Sequence, residues 1–209
     1  IHSLIDSHPE VSTLPSIYFS GYFDHSTWIK ITTDGWDRMV DRFMAMYAVL
    51  FDATSSVPIE TAGKKPVYNI GIKEGLANLG NQKDEILRID KQLFCAELKT
   101  LVNSFEEMDA YIFFNLVHTA YNKVINDNNP KELIFYHIHN PDTYAQLNLA
   151  RFNPTANWVL MVREPIQSME SWVREKFDMN DHFGMASRIL IMLYEIDNAV
   201  YNKQRSIGI

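Results

Sequence analysis

The sequence predicts an α/β fold with a central parallel sheet and helices on both faces. Two observations carry this. Trp158, Val159, Leu160, Met161 and Val162 form a short continuous apolar run, the pattern of a parallel strand covered on both faces. Glu132 to His139 (ELIFYHIH) is a second strand, and Pro141 to Arg151 supplies a short helix between the two. Strand, helix and strand in that order make the unit from which parallel sheets are built.

The remaining elements follow in order. Ile1 to Ser7 is the end of an amphipathic helix (Ile1, Leu4, Ile5), closed by His8-Pro9. Glu10 to Tyr22 is extended, with a break at Leu14-Pro15. A helix is expected from about Asp34 to Asp52, capped by Thr33 or Asp34. Its apolar stripe is Trp36, Met39, Val40, Phe43, Met46, Tyr47 and Leu50. Ala53 to Gln82 has little periodicity and predicts a long loop of the kind that walls a substrate site. Helices are expected over Lys83 to Ser104 and Glu106 to Ile125, the second broken by Asp127-Asn128-Asn129-Pro130. After the strand at Asn157 to Arg163 come helices over Pro165 to Phe177 and about His182 to Gln204. Ser206 to Ile209 looks like a strand just starting. The whole of 1–209 is expected to be one domain, with both ends cut.

The 209 residues suffice for one sizeable core, and 46% hydrophobic with 22% charged residues is an ordinary globular composition. A formal net charge of −7 with scattered Lys and Arg argues against a nucleic-acid surface but leaves room for a local anion clamp. Cys95 is the only cysteine, so no intrachain disulfide and no cysteine-based metal site can form, which fits a reducing, cytoplasmic setting. It sits in an apolar helical pattern and is expected to be buried and inert. No apolar run reaches the length of a membrane span.

Arg163 stands at the carboxyl end of its strand, Pro165 suits the first turn of a helix, and Ser171 follows eight residues after the arginine. Ligands of open α/β sheets bind at such strand ends, beside helix N-termini that favour anions. Arg163 and Ser171 would then clamp a phosphate, Ser168 being the weaker partner. The other reading is a strand–turn–helix whose arginine pairs with a surface carboxylate. The tryptophans Trp36, Trp158 and Trp172 are core residues rather than adenine platforms.

Three segments together resemble the PAPS-dependent sulfotransferase family, enzymes that use 3′-phosphoadenosine 5′-phosphosulfate. Leu4 to Pro9 (LIDSHP) looks like the end of the helix after the family's phosphosulfate loop. Tyr136 to Pro141 (YHIHNP) resembles its Lys-Thr-His-x-Pro strand end. Val162 to Trp172 (VREPIQSMESW) is similar to its 3′-phosphate signature. The resemblance spans roughly residues 1 to 15 and 132 to 176. It implies a P-loop NTPase-like sulfotransferase fold, with the phosphosulfate loop expected upstream of Ile1 and a further donor contact beyond Ile209. It implies PAPS as cosubstrate, no metal, and a small-molecule, lipid or carbohydrate acceptor. Arg163 and Ser171 would hold the 3′-phosphate.

By the same resemblance, His139 takes the place of the catalytic base. A neutral imidazole suits that role near pH 7. The family's lysine two residues earlier is His137 here, which would orient the acceptor or touch the sulfonate. Both histidines could instead be satisfied by backbone, or chelate a metal given further ligands. Glu10 is the alternative base, though a solvated turn carboxylate fits it better; His8 belongs at a helix end, near the last carbonyls. Tyr18, Tyr22, Asp24 and His25 line the acceptor pocket by position alone. Two rival functions stay open: a P-loop nucleotide kinase-like phosphotransferase, and a non-catalytic nucleotide-binding module.

Overall fold

A computed structural model describes residues 5, 8–15, 19, 21–55, 70–73, 75–127, 129–138 and 143–160, with 183–184, 186–187, 189–191, 193–194, 197 and 206–208. The chain divides into two compact units, Ile1–His139 and Asn140–Ile209. Both mix helices with a small parallel sheet.

In the first unit, strand β1 (Val11–Thr13) pairs in parallel with β2 (Leu133–Phe135), Ser12 opposite Ile134. The backbone N–H groups of Glu132 and Leu133 both donate to the Glu10 carbonyl, which fixes where the pairing begins. Between the strands in sequence lie helices α1 (His25–Thr32), α2 (Trp36–Met46), α3 (Ile70–Lys73), α4 (Lys91–Val102) and α5 (Ala110–Val124), with a 3₁₀ turn at Ala48–Leu50.

Helix α5 is the hub, packing on α4 and on β1. It buries Phe113, Phe114, Leu116, Val117, His118, Ala120, Tyr121 and Val124, more than one face of a helix. Asp109 caps it, its side chain accepting from the N–H groups of Tyr111 and Ile112 at 2.8 and 2.7 Å. Around Phe114 the rings of Phe19, Tyr22, Phe23 and Tyr136 lie at centroid distances of 5.1 to 5.7 Å, in the range of favourable aromatic packing. The Tyr22 hydroxyl donates to the Ala110 carbonyl at 2.8 Å and that of Tyr121 to the Leu50 carbonyl at 3.0 Å, so these buried phenols keep their hydrogen bonds.

The element bounds differ from expectation in instructive places. Helix α1 was not foreseen, because Thr27, Ile29, Ile31, Thr32 and Thr33 are β-branched and poor helix formers. Three threonine hydroxyls bond carbonyls nearby in the chain (Thr27 to Gly21, Thr32 to Trp28, Thr33 to Ile29), and burial of Ile31 supplies the tertiary drive. The following helix is capped by Gly35 at φ 84°, a left-handed position suited to glycine, rather than by Thr33 or Asp34. It ends at Met46, where the 3₁₀ turn takes over. Trp36, expected in its buried stripe, is 41% exposed in the first turn. Helix α4 begins at Lys91, not Lys83: Asp90 accepts from the N–H groups of Gln92 and Leu93, and residues 83–90 turn back to bond Leu79 and Phe51. Helix α5 starts at Ala110 rather than Glu106 for the same reason, an aspartate cap. The expected loop at Ala53 to Gln82 contains α3, where Gly71 lies so close that an added Cβ would meet the Ala53 carbonyl oxygen at 2.5 Å.

In the second unit, helix α6 (Thr143–Phe152) precedes β3 (Trp158–Leu160), which pairs in parallel with β4 (Ser206–Gly208). The described positions between 183 and 197 are helical. Val159 is 45% exposed and in β2 Leu133 is 61% exposed, so neither strand is covered on both faces. Among the described residues each sheet is two strands wide, and such a narrow sheet leaves apolar side chains open to water. The expected helix at Pro165 to Phe177 lies outside the described residues.

Candidate functional site

Of the residues singled out for chemistry, the structure describes His137. It follows the end of β2 by two residues, half-buried, next to Tyr136, whose ring packs on Phe114 and whose hydroxyl donates to the Phe19 carbonyl at 3.2 Å. Strand β2 thus delivers the histidine segment to a carboxyl strand end, and Tyr136 anchors that end to the aromatic core. His139, Arg163, Ser168 and Ser171 lie outside the described residues. Strand β3 ends at Leu160, three residues before Arg163 in sequence.

Several secondary expectations are corrected. Tyr22 lines no pocket: it is fully buried against α5, and burial pushes its hydroxyl far above the usual range. Asp24 is the cap of α1, accepting from the Ser26 N–H at 2.9 Å, and His25 is that helix's first residue. Tyr18 lies outside the described residues. The His8 ring accepts from the Glu10 N–H at 3.3 Å instead of meeting the last helical carbonyls. Glu10 is exposed, as a turn carboxylate would be.

Cys95 is half-buried rather than buried, its thiol 3.5 Å from an Asp41 carboxylate oxygen that Lys99 also holds. Burial, then the hydrogen bond to Asp41, raises the thiol above its ordinary pKa, which fits an inert cysteine. The same three residues, with Met44, Lys91 and Gln92, line an open groove of about 530 Å³ between α2 and α4. His137 is not among its walls.

A polar cluster that the sequence did not announce sits beneath β1. Ser12 Oγ lies 2.8 Å from His118 Nδ1, and the Asn122 side-chain amide donates to the same Oγ at 2.9 Å. Ser12 and His118 are 1% and 2% exposed. Asn122 is one helical turn beyond His118, so the two close on Ser12 from successive turns of α5. His118 Nε2 is buried with no hydrogen-bond partner among the described residues. Burial alone pulls the imidazole down to about 3, so it is neutral in the folded protein. The signal was present: His118 falls four residues after Phe114 on the apolar stripe, and Ser12 takes an inward position in a strand.

Among the described residues, no group of three or more His, Cys, Asp or Glu side chains is arranged to hold a metal ion. Among them, too, no helix is long and apolar enough to cross a membrane. In comparisons with known proteins, no family model, no curated protein and no solved structure matches the chain.

Proposed function

We propose that this protein is a PAPS-dependent sulfotransferase of the cytoplasm. It is P-loop NTPase-like and moves a sulfuryl group from PAPS to a hydroxyl or amine of a small molecule, lipid or sugar. The reading rests on one observation, the position of the motifs relative to the strands. The histidine segment follows β2, Arg163 follows β3 in sequence, and a helix separates the two strands. Strand ends are where anionic cosubstrates bind in parallel α/β sheets.

The residues would divide the work as follows. The acceptor oxygen attacks sulfur, the bond from sulfur to the bridging phosphate oxygen breaks, and adenosine 3′,5′-bisphosphate leaves. His139 takes the acceptor's proton, a step typically worth roughly 10²- to 10⁴-fold. His137 orients the acceptor. Arg163 and Ser171 hold the 3′-phosphate through charge-assisted hydrogen bonds. Such transfers gain most from positioning and charge stabilisation.

Sulfuryl transfer from PAPS to a broad acceptor panel, with wild type and His139→Ala side by side, tests the proposal. Turnover in wild type that falls at least roughly 10²-fold in His139→Ala, with nucleotide binding retained, supports it. Turnover of ATP instead would favour a kinase, and nucleotide binding without turnover on any acceptor would favour a binding module.

A further inference from the structure

We propose that Ser12, His118 and Asn122 form a proton-sensitive latch: when the His118 imidazole takes up a proton, the β1–β2 strand pair lets go of helix α5. The latch stands whether or not the strand end carries the chemistry proposed above.

The hydrogen-bond distances favour one closed arrangement. The Ser12 hydroxyl donates to His118 Nδ1 at 2.8 Å while the Asn122 amide donates to Ser12 Oγ at 2.9 Å. The His118 proton then sits on Nε2, which is buried, on a ring whose centroid lies 4.7 and 6.1 Å from those of Phe114 and Phe19. A second proton on Nδ1 would turn the Ser12 hydroxyl toward the Asn122 carbonyl oxygen, 3.2 Å away. The hydrogen bonds can therefore rearrange, but among the described residues no counter-charge is placed to answer the new proton.

The surroundings of the ring make this clear. From β1 it meets the Ser12 hydroxyl, from its own helix Phe114 and Asn122, and from the segment before α1 Phe19. Tyr22 and Tyr136, whose rings pack on Phe114, bring phenols, a group that carries no charge at neutral pH. No carboxylate is among these neighbours, and burial is the sole cause of the lowered imidazole pKa. A buried cation without a counter-charge is strongly disfavoured, so protonation has to expose the ring.

Exposing it does not require unfolding the unit. The strand pair is three residues long on each side and touches α5 only lightly, whereas α4 and α5 pack extensively, the rings of Phe94 and Tyr121 among them. Small elements of this kind open locally, ahead of the core. In the open state the imidazole regains an ordinary pKa near 6.5. Below that value the opening constant should rise about tenfold per pH unit, because opening takes up one proton.

Amide hydrogen exchange on the full chain between about pH 7.5 and 5, corrected for intrinsic exchange, reads this directly. In wild type the opening constants of the β1 and β2 amides should rise about tenfold per pH unit below about 6.5, and at every pH they should exceed those of α4, which exchange through the rarer global unfolding. His118→Asn offers Ser12 an amide partner that does not titrate, and its strand amides should lose the pH dependence. Ser12→Ala keeps the buried imidazole, so its strands should open more at every pH with the wild-type slope. A wild type without the slope, an equal slope in His118→Asn, or strand opening constants no larger than those of α4 would overturn the latch.

Discussion

Ser12 Oγ and His118 Nδ1 lie 2.8 Å apart although 106 positions separate them in the chain. This hydrogen bond, joined by Asn122, fixes the middle of β1 on α5. Replacing Ser12 by Ala leaves the His118 and Asn122 side chains short of a partner in a buried site. Such a loss typically costs about 1–3 kcal/mol. Urea unfolding should show a lower midpoint with an unchanged slope.

His118 also makes global stability depend on pH, and the sign is fixed by the direction of its shift. Its folded-state pKa is lowered to about 3, below an unfolded value near 6.5. The unfolded chain therefore binds the extra proton first. The stability that depends on a neutral His118 is fully present above about pH 6.5 and is lost as pH falls toward 3, at about 1.4 kcal/mol per unit. Unfolding free energies measured between pH 7.5 and 5 should show this slope in wild type and a shallower one in His118→Asn.

The Tyr22 hydroxyl is the donor to the Ala110 carbonyl in the first turn of α5. Tyr22→Phe keeps the ring contacts with Phe19, Phe23 and Phe114 and removes that donor. A loss of about 1–3 kcal/mol is expected. Near-UV circular dichroism should still show a packed aromatic core, which separates a lost hydrogen bond from lost packing.

How far the sequence reached depends on the kind of signal. Long amphipathic patterns were legible: α5 was expected, and its apolar residues Phe113, Phe114 and Val117 are buried. The strands at Leu133 and Trp158 were legible as short apolar runs, but the strand–helix–strand unit expected of them is not what forms: among the described residues β2 pairs with β1 and β3 with β4, partners distant in sequence that no local pattern names. Helix starts were placed too early, because Ile86 and Ile89 fit a helical period although Asp90 is the cap. Helix α1 was missed because local propensity opposed it and burial of Ile31 outweighed that. The Ser12–His118–Asn122 cluster was legible only in its parts, a histidine on an apolar stripe and a serine in a strand. No local pattern states that a serine in one strand will meet a histidine 106 residues later. Of the proposed site, the motifs and their order were legible, and His137 is the member whose strand-end position the structure describes.

The central claim is that Arg163 and Ser171 receive the 3′-phosphate of a PAPS-type nucleotide. Isothermal calorimetry of the full-length protein with adenosine 3′,5′-bisphosphate and with adenosine 5′-phosphate tests it most directly. Charge-assisted hydrogen bonds to that extra phosphate are worth roughly 1.5–3 kcal/mol each. The account predicts that the bisphosphate binds at least roughly tenfold more tightly, and that Arg163→Ala removes most of the difference. Equal affinity for the two nucleotides in wild type would contradict it.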